Sequence, residues 1–243
     1  MLRSRIIPCL LLHNKGLTKT INFSNHKYIG DPLNAVRIFN EKNVDEIMIF
    51  DIDKTVNNQQ PDYKLISDIA RECRMPLCYG GGIKTADEVE KIISLGVEKV
   101  SLSNSAIMNP NLISECAKRI GAQSVALTID IKSTGLLKNN YQVCTKNGKK
   151  TIKKYYLDVI NDSIKSGVGE IVINSYERDG TGRGYDINLI DSIYPNINVP
   201  LTVLGGASDY QDIKDLIQRY KIIGAAAGSI FSLKGKFRAV LLQ

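Results

Sequence analysis

Apolar and polar positions along the chain follow two alternating periods. Compact apolar runs rich in branched residues occupy 5–12, 46–51, 77–79, 99–102, 124–130, 170–174, 201–204 and 222–226. Runs of that length with little polar alternation read as strands covered on both faces. The segments between them carry apolar residues at helical spacing, at about 31–42, 60–74, 86–95, 110–120, 153–166, 187–193 and 210–219. Asp31-Pro32 is a strong helix start, a capping residue followed by proline at the first helical position. Two stretches interrupt the rhythm: a polar, glycine-containing loop at 13–28 and a polar excursion at 132–150. In the second, 141–144 followed by Asn147-Gly148 reads as a small hairpin. The tail after Phe231 leaves room for a short terminal helix.

Strands alternating with helices imply parallel strands joined by right-handed crossovers. Eight such units in 243 residues favour a closed (β/α)8 TIM barrel forming one domain over residues 1–243. A doubly wound open sheet is the alternative, but no Gly-x-Gly-x-x-Gly follows the first strand. An internal repeat supports the barrel. Pro76-Leu-Cys-Tyr-Gly-Gly-Gly-Ile83 is echoed by Pro200-Leu-Thr-Val-Leu-Gly-Gly-Ala207. Gly81 and Gly205, Gly82 and Gly206, Ser105 and Ser229, and Glu46 and Glu170 all keep a spacing of 124 residues. One register held across several motifs predicts two duplicated (β/α)4 half-barrels, about 1–121 and 122–243.

Composition narrows the class. No apolar run reaches membrane-spanning length, and the opening residues read as a strand entry rather than a signal peptide, so a cytoplasmic protein is expected. Five cysteines are scattered without the pairing of a zinc or redox site, which predicts buried thiols and no metal or cofactor. The net charge of +7 suits a phosphorylated ligand, although a lysine-rich solvated surface accounts for most of it. Basic residues do not interleave with aromatics, which argues against nucleic acid.

In such a barrel the chemistry lies at the C-terminal strand ends. There the chain places Asp51, Asp53, Gly80–Gly82, Ser103–Ser105, Asp130, Asn174, Asp179, Gly205, Gly206, Gly228 and Ser229. The glycines let backbone N–H groups approach phosphate oxygens; the simpler alternative is a set of tight turns. Asp130 is the leading acid–base candidate, and Asp179 in Arg-Asp-Gly-Thr the second; either could instead cap its own loop. At the opposite end Arg5, Glu46, Lys99 and Glu170 begin strands one, two, four and six and can converge into a ring of alternating charge. On its residues alone that ring reads as a structural staple.

Arg-Ile-Ile-Pro-Cys-Leu at 5–10, Gly-Asp-Pro at 30–32, Gly-Gly-Gly-Ile at 80–83, Lys-Val-Ser at 99–101, Ile-Asp-Ile-Lys at 129–132 and Asp-Gly-Thr at 179–181 together resemble the HisF family, cyclase subunits of imidazole glycerol phosphate synthase. The likeness spans nearly the whole chain. It implies a substrate with two phosphates, held by Gly81, Gly82, Ser103, Asn104, Asp179, Gly180, Thr181, Gly205, Gly206, Gly228 and Ser229, with Lys19 on a mobile first loop. It also implies a HisH-type glutaminase at the N-terminal face, and turns Arg5, Glu46, Lys99 and Glu170 into an ammonia gate. Asp130 matches one of the family's two catalytic aspartates, whereas Leu11 stands at the other, and Ser103-Asn104 replaces the family's Asn-Thr. With the Asn-rich first loop, these departures resemble a branch associated with surface-sugar biosynthesis. That branch implies a separate sugar amidotransferase and acetamidino-sugar formation, with a working histidine-pathway cyclase or a scaffold that only activates the glutaminase as alternatives.

Overall fold

The computed structural model describes residues 3–135, 140–235 and 239–242. Residues 1–2, the middle of the polar excursion at 136–139, and 236–238 and 243 of the tail lie outside the described residues. Eight parallel strands close into a barrel: β1 (Arg5–His13), β2 (Ile47–Asp51), β3 (Leu77–Gly80), β4 (Lys99–Leu102), β5 (Val125–Thr134), β6 (Glu170–Ser175), β7 (Leu201–Leu204) and β8 (Gly224–Ala227). Each pairs with its sequence neighbour, and β8 returns to β1 through Arg5 opposite Gly224 and Ile7 opposite Ala226. An outer layer of helices covers them: α1 (Pro32–Glu41), α2 (Tyr63–Glu72), α3 (Ala86–Ser94), α4 (Asn111–Ile120), α5 (Tyr156–Lys165), α6 (Ile187–Ile193) and α7 (Tyr210–Tyr220). The (β/α)8 barrel expected from the alternation is therefore the fold.

Local chemistry starts these helices where the pattern predicts. The Asp31 carboxylate accepts from the Leu33 and Asn34 amides at 2.9 and 3.0 Å, with Pro32 needing no partner. Thr85 and Glu88 form a reciprocal capping box at α3. The period of two along each strand then sorts the side chains. Leu10, Leu12, Ile47, Ile49, Leu127 and Ile129 face the helices in the main core. Ile7, Cys9, Met48, Cys78, Ala126, Val172, Leu204 and Ala226 form a second, separate cluster that fills the lumen. Each fully buried Leu or Ile contributes about 1.5–3 kcal/mol, so both clusters fix the strand register.

The two glycine motifs of the sequence repeat form similar strand exits. Gly81 and Gly82 leave β3 at φ 127° and 74°, and Gly205 and Gly206 leave β7 at 93° and 106°. Short helices, Asn104–Met108 and Ser229–Ser232, follow β4 and β8.

Several expectations need correction. The polar loop at 13–28 is a β-hairpin, Gly16–Ile21 against Ser24–Gly30, which prolongs β1 with Leu12 opposite Leu17. Its tip, Asn22-Phe23, has both residues left-handed (φ 48° and 59°), the backbone that matches hairpin twist. The hairpin in the excursion is present but larger: Asn140–Thr145 and Lys150–Tyr155 pair onto an extended β5, which delays α5 to Tyr156. A short helix, Ile52–Val56, follows β2 directly. After Ser229–Ser232 the tail forms two short antiparallel strands, Leu233–Lys234 and Ala239–Val240, in place of a terminal helix. No helix among the described residues is long and apolar enough to cross a membrane.

Candidate active site at the barrel mouth

The C-terminal strand ends surround a cavity of about 220 Å3. Its polar wall includes Asp51, Ser103, Asn104, Asp130, Asn174 and Asp179, and both pairs of glycines, Gly81–Gly82 and Gly205–Gly206, open into it. Gly180, Gly228, Ser229 and Lys19 complete the set brought together from the sequence. Two residues do not line the cavity: the Thr181 hydroxyl donates to the Arg178 carbonyl at 2.8 Å, and Asp53 turns to His13, 2.7 Å from its Nδ1. The glycines are required there. A Cβ on Gly206 would run into the Gly184 carbonyl, and one on Gly228 would take the place of the Lys19 ammonium.

Three carboxylates reach the cavity, and their partners separate them. Asp51 ends β2 and caps Ile52–Val56, accepting from the Asp53 and Lys54 amides at 3.1 and 3.3 Å. Asp179 clasps the first hairpin: it accepts from the Phe23 amide and, at 3.5 Å, from the Thr20 hydroxyl, while the Asn22 amide donates to its carbonyl at 3.1 Å. Stacking of Phe23 on Tyr176, with ring centres 5.2 Å apart, fastens the same tip. Farther along, His26 stacks on His13 at 4.1 Å, and His13 Nδ1 lies 2.7 Å from Asp53. The hairpin is thus folded over the mouth, carrying Lys19 inward to the Cys9 carbonyl at 3.4 Å.

Asp130 is different. Its carboxylate accepts from Asn174 Nδ2 at 2.9 Å, a bond made to a side chain of the cavity wall rather than to a turn. Protein atoms surround it on nearly every side, although one edge stays open to the cavity. Burial pushes its pKa up to about 7, with the nearby Asp179 charge adding to the rise and the Asn174 bond opposing it. Burial also raises Asp51 and Asp179, the latter partly offset by Lys19. Leu11 lines the same cavity, in register with Phe50, and gives that part of the wall an apolar surface.

At the base Arg5, Glu46, Lys99 and Glu170 form a closed ring. Arg5 contacts Glu46 at 2.5 Å and Glu170 at 2.8 Å; Lys99 contacts Glu46 at 2.9 Å and Glu170 at 2.5 Å. Thr202 donates to Glu170 at 2.5 Å. Burial works against the charges of Arg5 and Lys99, but the two glutamates outweigh it and raise both pKa values. Burial likewise opposes ionisation of Glu170, yet Lys99 and Arg5 hold it below the usual carboxylate range. Above the ring the lumen is uncharged: burial raises the Cys9 thiol to about 12 and the Cys78 thiol well above its ordinary value.

Sequence reasoning missed other wall residues. Lys146 and Asn147 reach the cavity from the tip of the second hairpin, where both adopt left-handed backbone (φ 54° and 57°). The Asn-Gly turn announced that hairpin but not the direction in which it folds. Phe23, Lys84, Ser101 and Thr128 also line the cavity. Ser101 and Thr128 follow from strand alternation once the register is known.

Fold and mouth together define a (β/α)8 barrel whose C-terminal cavity gathers two glycine pairs and three carboxylates. Comparison with known sequences identifies the kind. A family model described as "Histidine biosynthesis protein" matches residues 5–238. A "Putative imidazole glycerol phosphate synthase subunit HisF" of Leptospira borgpetersenii is 51% identical over 243 residues, covering 100% of this chain and 95% of the relative. A "Putative imidazole glycerol phosphate synthase subunit hisF3" of Vibrio vulnificus is 48% identical over 243 residues, with 100% and 93% covered. The "Imidazole glycerol phosphate synthase subunit HisF" of Streptococcus sanguinis is 32% identical over 231 residues, with 95% and 91% covered. The chain belongs to the HisF family of imidazole glycerol phosphate synthase subunits, and its function is of the HisF-like cyclase type.

Proposed function

We propose that this chain is the ammonia-accepting synthase subunit of an imidazole glycerol phosphate synthase-type complex, working with a HisH-type glutaminase docked at the base. The observation that carries the reading is the order of layers along the barrel axis. A closed ring of Arg5, Glu46, Lys99 and Glu170 at the base is followed by an uncharged layer around Cys9, Met48, Cys78 and Val172, and then by a mouth holding Asp130 and both glycine pairs. An uncharged lumen suits ammonia and rejects ammonium, because moving an unpaired charge through it is costly. The ring then acts as a gate, opened when the docked partner draws one of its side chains aside.

At the mouth the N–H groups around Gly81–Gly82 and Gly205–Gly206 take one phosphate each, with Lys19 over the Gly228–Ser229 side. Ser103 and Asn104, which follow β4, serve the phosphate held at Gly81–Gly82. Asp130, with its pKa at about 7, is the general acid–base group, since proton transfer is most effective when the pKa lies near the working pH. Asp179 is the hairpin clasp that keeps Lys19 over the substrate, and not the second proton carrier.

The names of the relatives favour the histidine-pathway reaction, cyclisation of an aminated phosphoribosyl intermediate to imidazole glycerol phosphate. Leu11 favours a second reading, in which the same ammonia route serves acetamidino-sugar formation with a further sugar amidotransferase. Turnover of the histidine-pathway bisphosphate, with glutamine and a HisH-type partner, separates the two. Steady product formation supports the first. Product absent at every pH, with glutamine still hydrolysed, refutes it in favour of the second.

A further inference from the structure

Among the described residues four buried polar atoms have no hydrogen-bond partner, and one of them, Asn174 Oδ1, belongs to a cavity residue that also holds Asp130. Asn174 is 4% exposed. It sits one inward-facing step above Val172 on β6, in register with Asp130 on β5 and Leu204 on β7. It therefore stands where the lumen opens into the mouth. Its two amide atoms point to different tasks. Nδ2 donates to Asp130 Oδ1 at 2.9 Å. Oδ1 lies over Gly205, in space that any larger residue there would fill. A buried amide oxygen left unpaired carries a desolvation penalty that is removed when a donor arrives.

We propose that Asn174 is a positioning residue with two faces: Nδ2 fixes and tunes Asp130, and Oδ1 accepts an N–H of the ammonia molecule leaving the lumen. The second half rests on the ammonia route proposed above; the first does not. Ammonia is the fitting occupant because it is small, neutral and carries donors toward an acceptor that lacks one. The pairing places the incoming nitrogen beside the group that takes its proton, which favours reaction through orientation. The other ionisable groups near Asp130 are Asp179 on the loop after β6, Cys144 on the second hairpin and Lys19 on the first.

The test uses the full chain labelled with carboxyl-13C aspartate, with Asp130→Asn assigning the resonance. Asn174→Leu keeps the volume and removes both polar atoms; Asn174→Ser restores a short donor and acceptor. The Asp130 titration should move up by about one pH unit or more in Asn174→Leu and partly return in Asn174→Ser. A midpoint unchanged by Asn174→Leu overturns the tuning role. The ammonia half is read without turnover, from the Asn174 side-chain 15N resonance during titration with ammonium chloride at alkaline pH. A saturable shift, absent with sodium chloride, is expected; no shift overturns it. With the bisphosphate, Asn174→Leu should raise KM for ammonia about tenfold and leave KM for the bisphosphate within about twofold. If the unaltered protein does not turn over this substrate, the histidine-pathway reading fails, while the two resonance measurements still decide the role of Asn174.

Discussion

Asp130→Asn should stabilise the protein above neutral pH while removing its acid–base capacity. Burial holds the Asp130 carboxyl at about 7, against 3.8 for an ordinary aspartate. Between about pH 4 and about pH 7 the folded chain keeps a proton that the unfolded chain has released. Stability contributed at this site therefore falls as pH rises through that window and levels off above it. A difference of about 3 units at about 1.4 kcal/mol each gives about 4 kcal/mol for the full cost of ionising Asp130. Water in the cavity reaches one edge of the carboxylate and reduces the cost to about 2 kcal/mol. Asparagine has nearly the same shape and can still accept from Asn174 Nδ2, so the variant escapes the penalty. Urea unfolding of both proteins at about pH 5 and about pH 8 measures it. Part of that cost is already present at about pH 5, so the variant should gain about 1 kcal/mol relative to the unaltered chain between the two conditions, with equal m-values. A gap independent of pH, or one that shrinks toward alkaline pH, would refute the buried-acid reasoning.

The base ring makes the opposite case. Glu170→Gln leaves Arg5 and Lys99 short of a buried counter-charge and should cost about 3–5 kcal/mol, read as a lower midpoint in urea. Gly206→Ala forces a Cβ toward the Gly184 carbonyl at a φ of 106°; it should cost about 1–3 kcal/mol and weaken inorganic phosphate binding measured by calorimetry. Leu11→Asp places a carboxylate in the cavity wall beside Phe50. It should raise turnover of the histidine-pathway bisphosphate about tenfold or more if the site is otherwise competent, and no gain would show that further substrate contacts differ.

The barrel was legible because its signals are local and repeated. Each strand is a compact apolar run, several helices begin at a capping group such as Asp31 or Thr85, and a 124-residue spacing recurs across several motifs. Their places at strand starts also put Arg5, Glu46, Lys99 and Glu170 on one layer, where the structure closes them into a ring. The hairpin at 16–30 escaped because its strands are largely polar and carry no apolar run, and its turn depends on Asn22 and Phe23 accepting left-handed backbone. Phe23 adopts that conformation with its ring stacked on Tyr176, far away in sequence. The distinction between Asp130 and Asp179 was equally hidden. Both are acidic residues near strand ends, and only tertiary structure shows one clasping a hairpin and the other facing an amide. Asn174 carried a signal, a polar residue at the end of an apolar strand, but its pairing depends on the register of β5 against β6.

The most direct test of the axial route is an isotope competition. The chain, assembled with a HisH-type glutaminase, is given amide-15N glutamine, the bisphosphate and an excess of unlabelled ammonium chloride, and the product is analysed by mass spectrometry. Passage along the lumen predicts product carrying 15N close to the enrichment of the glutamine. Product whose label matches the bulk ammonium pool would mean that nitrogen reaches Asp130 from solvent, and the account of the ring and lumen would be wrong.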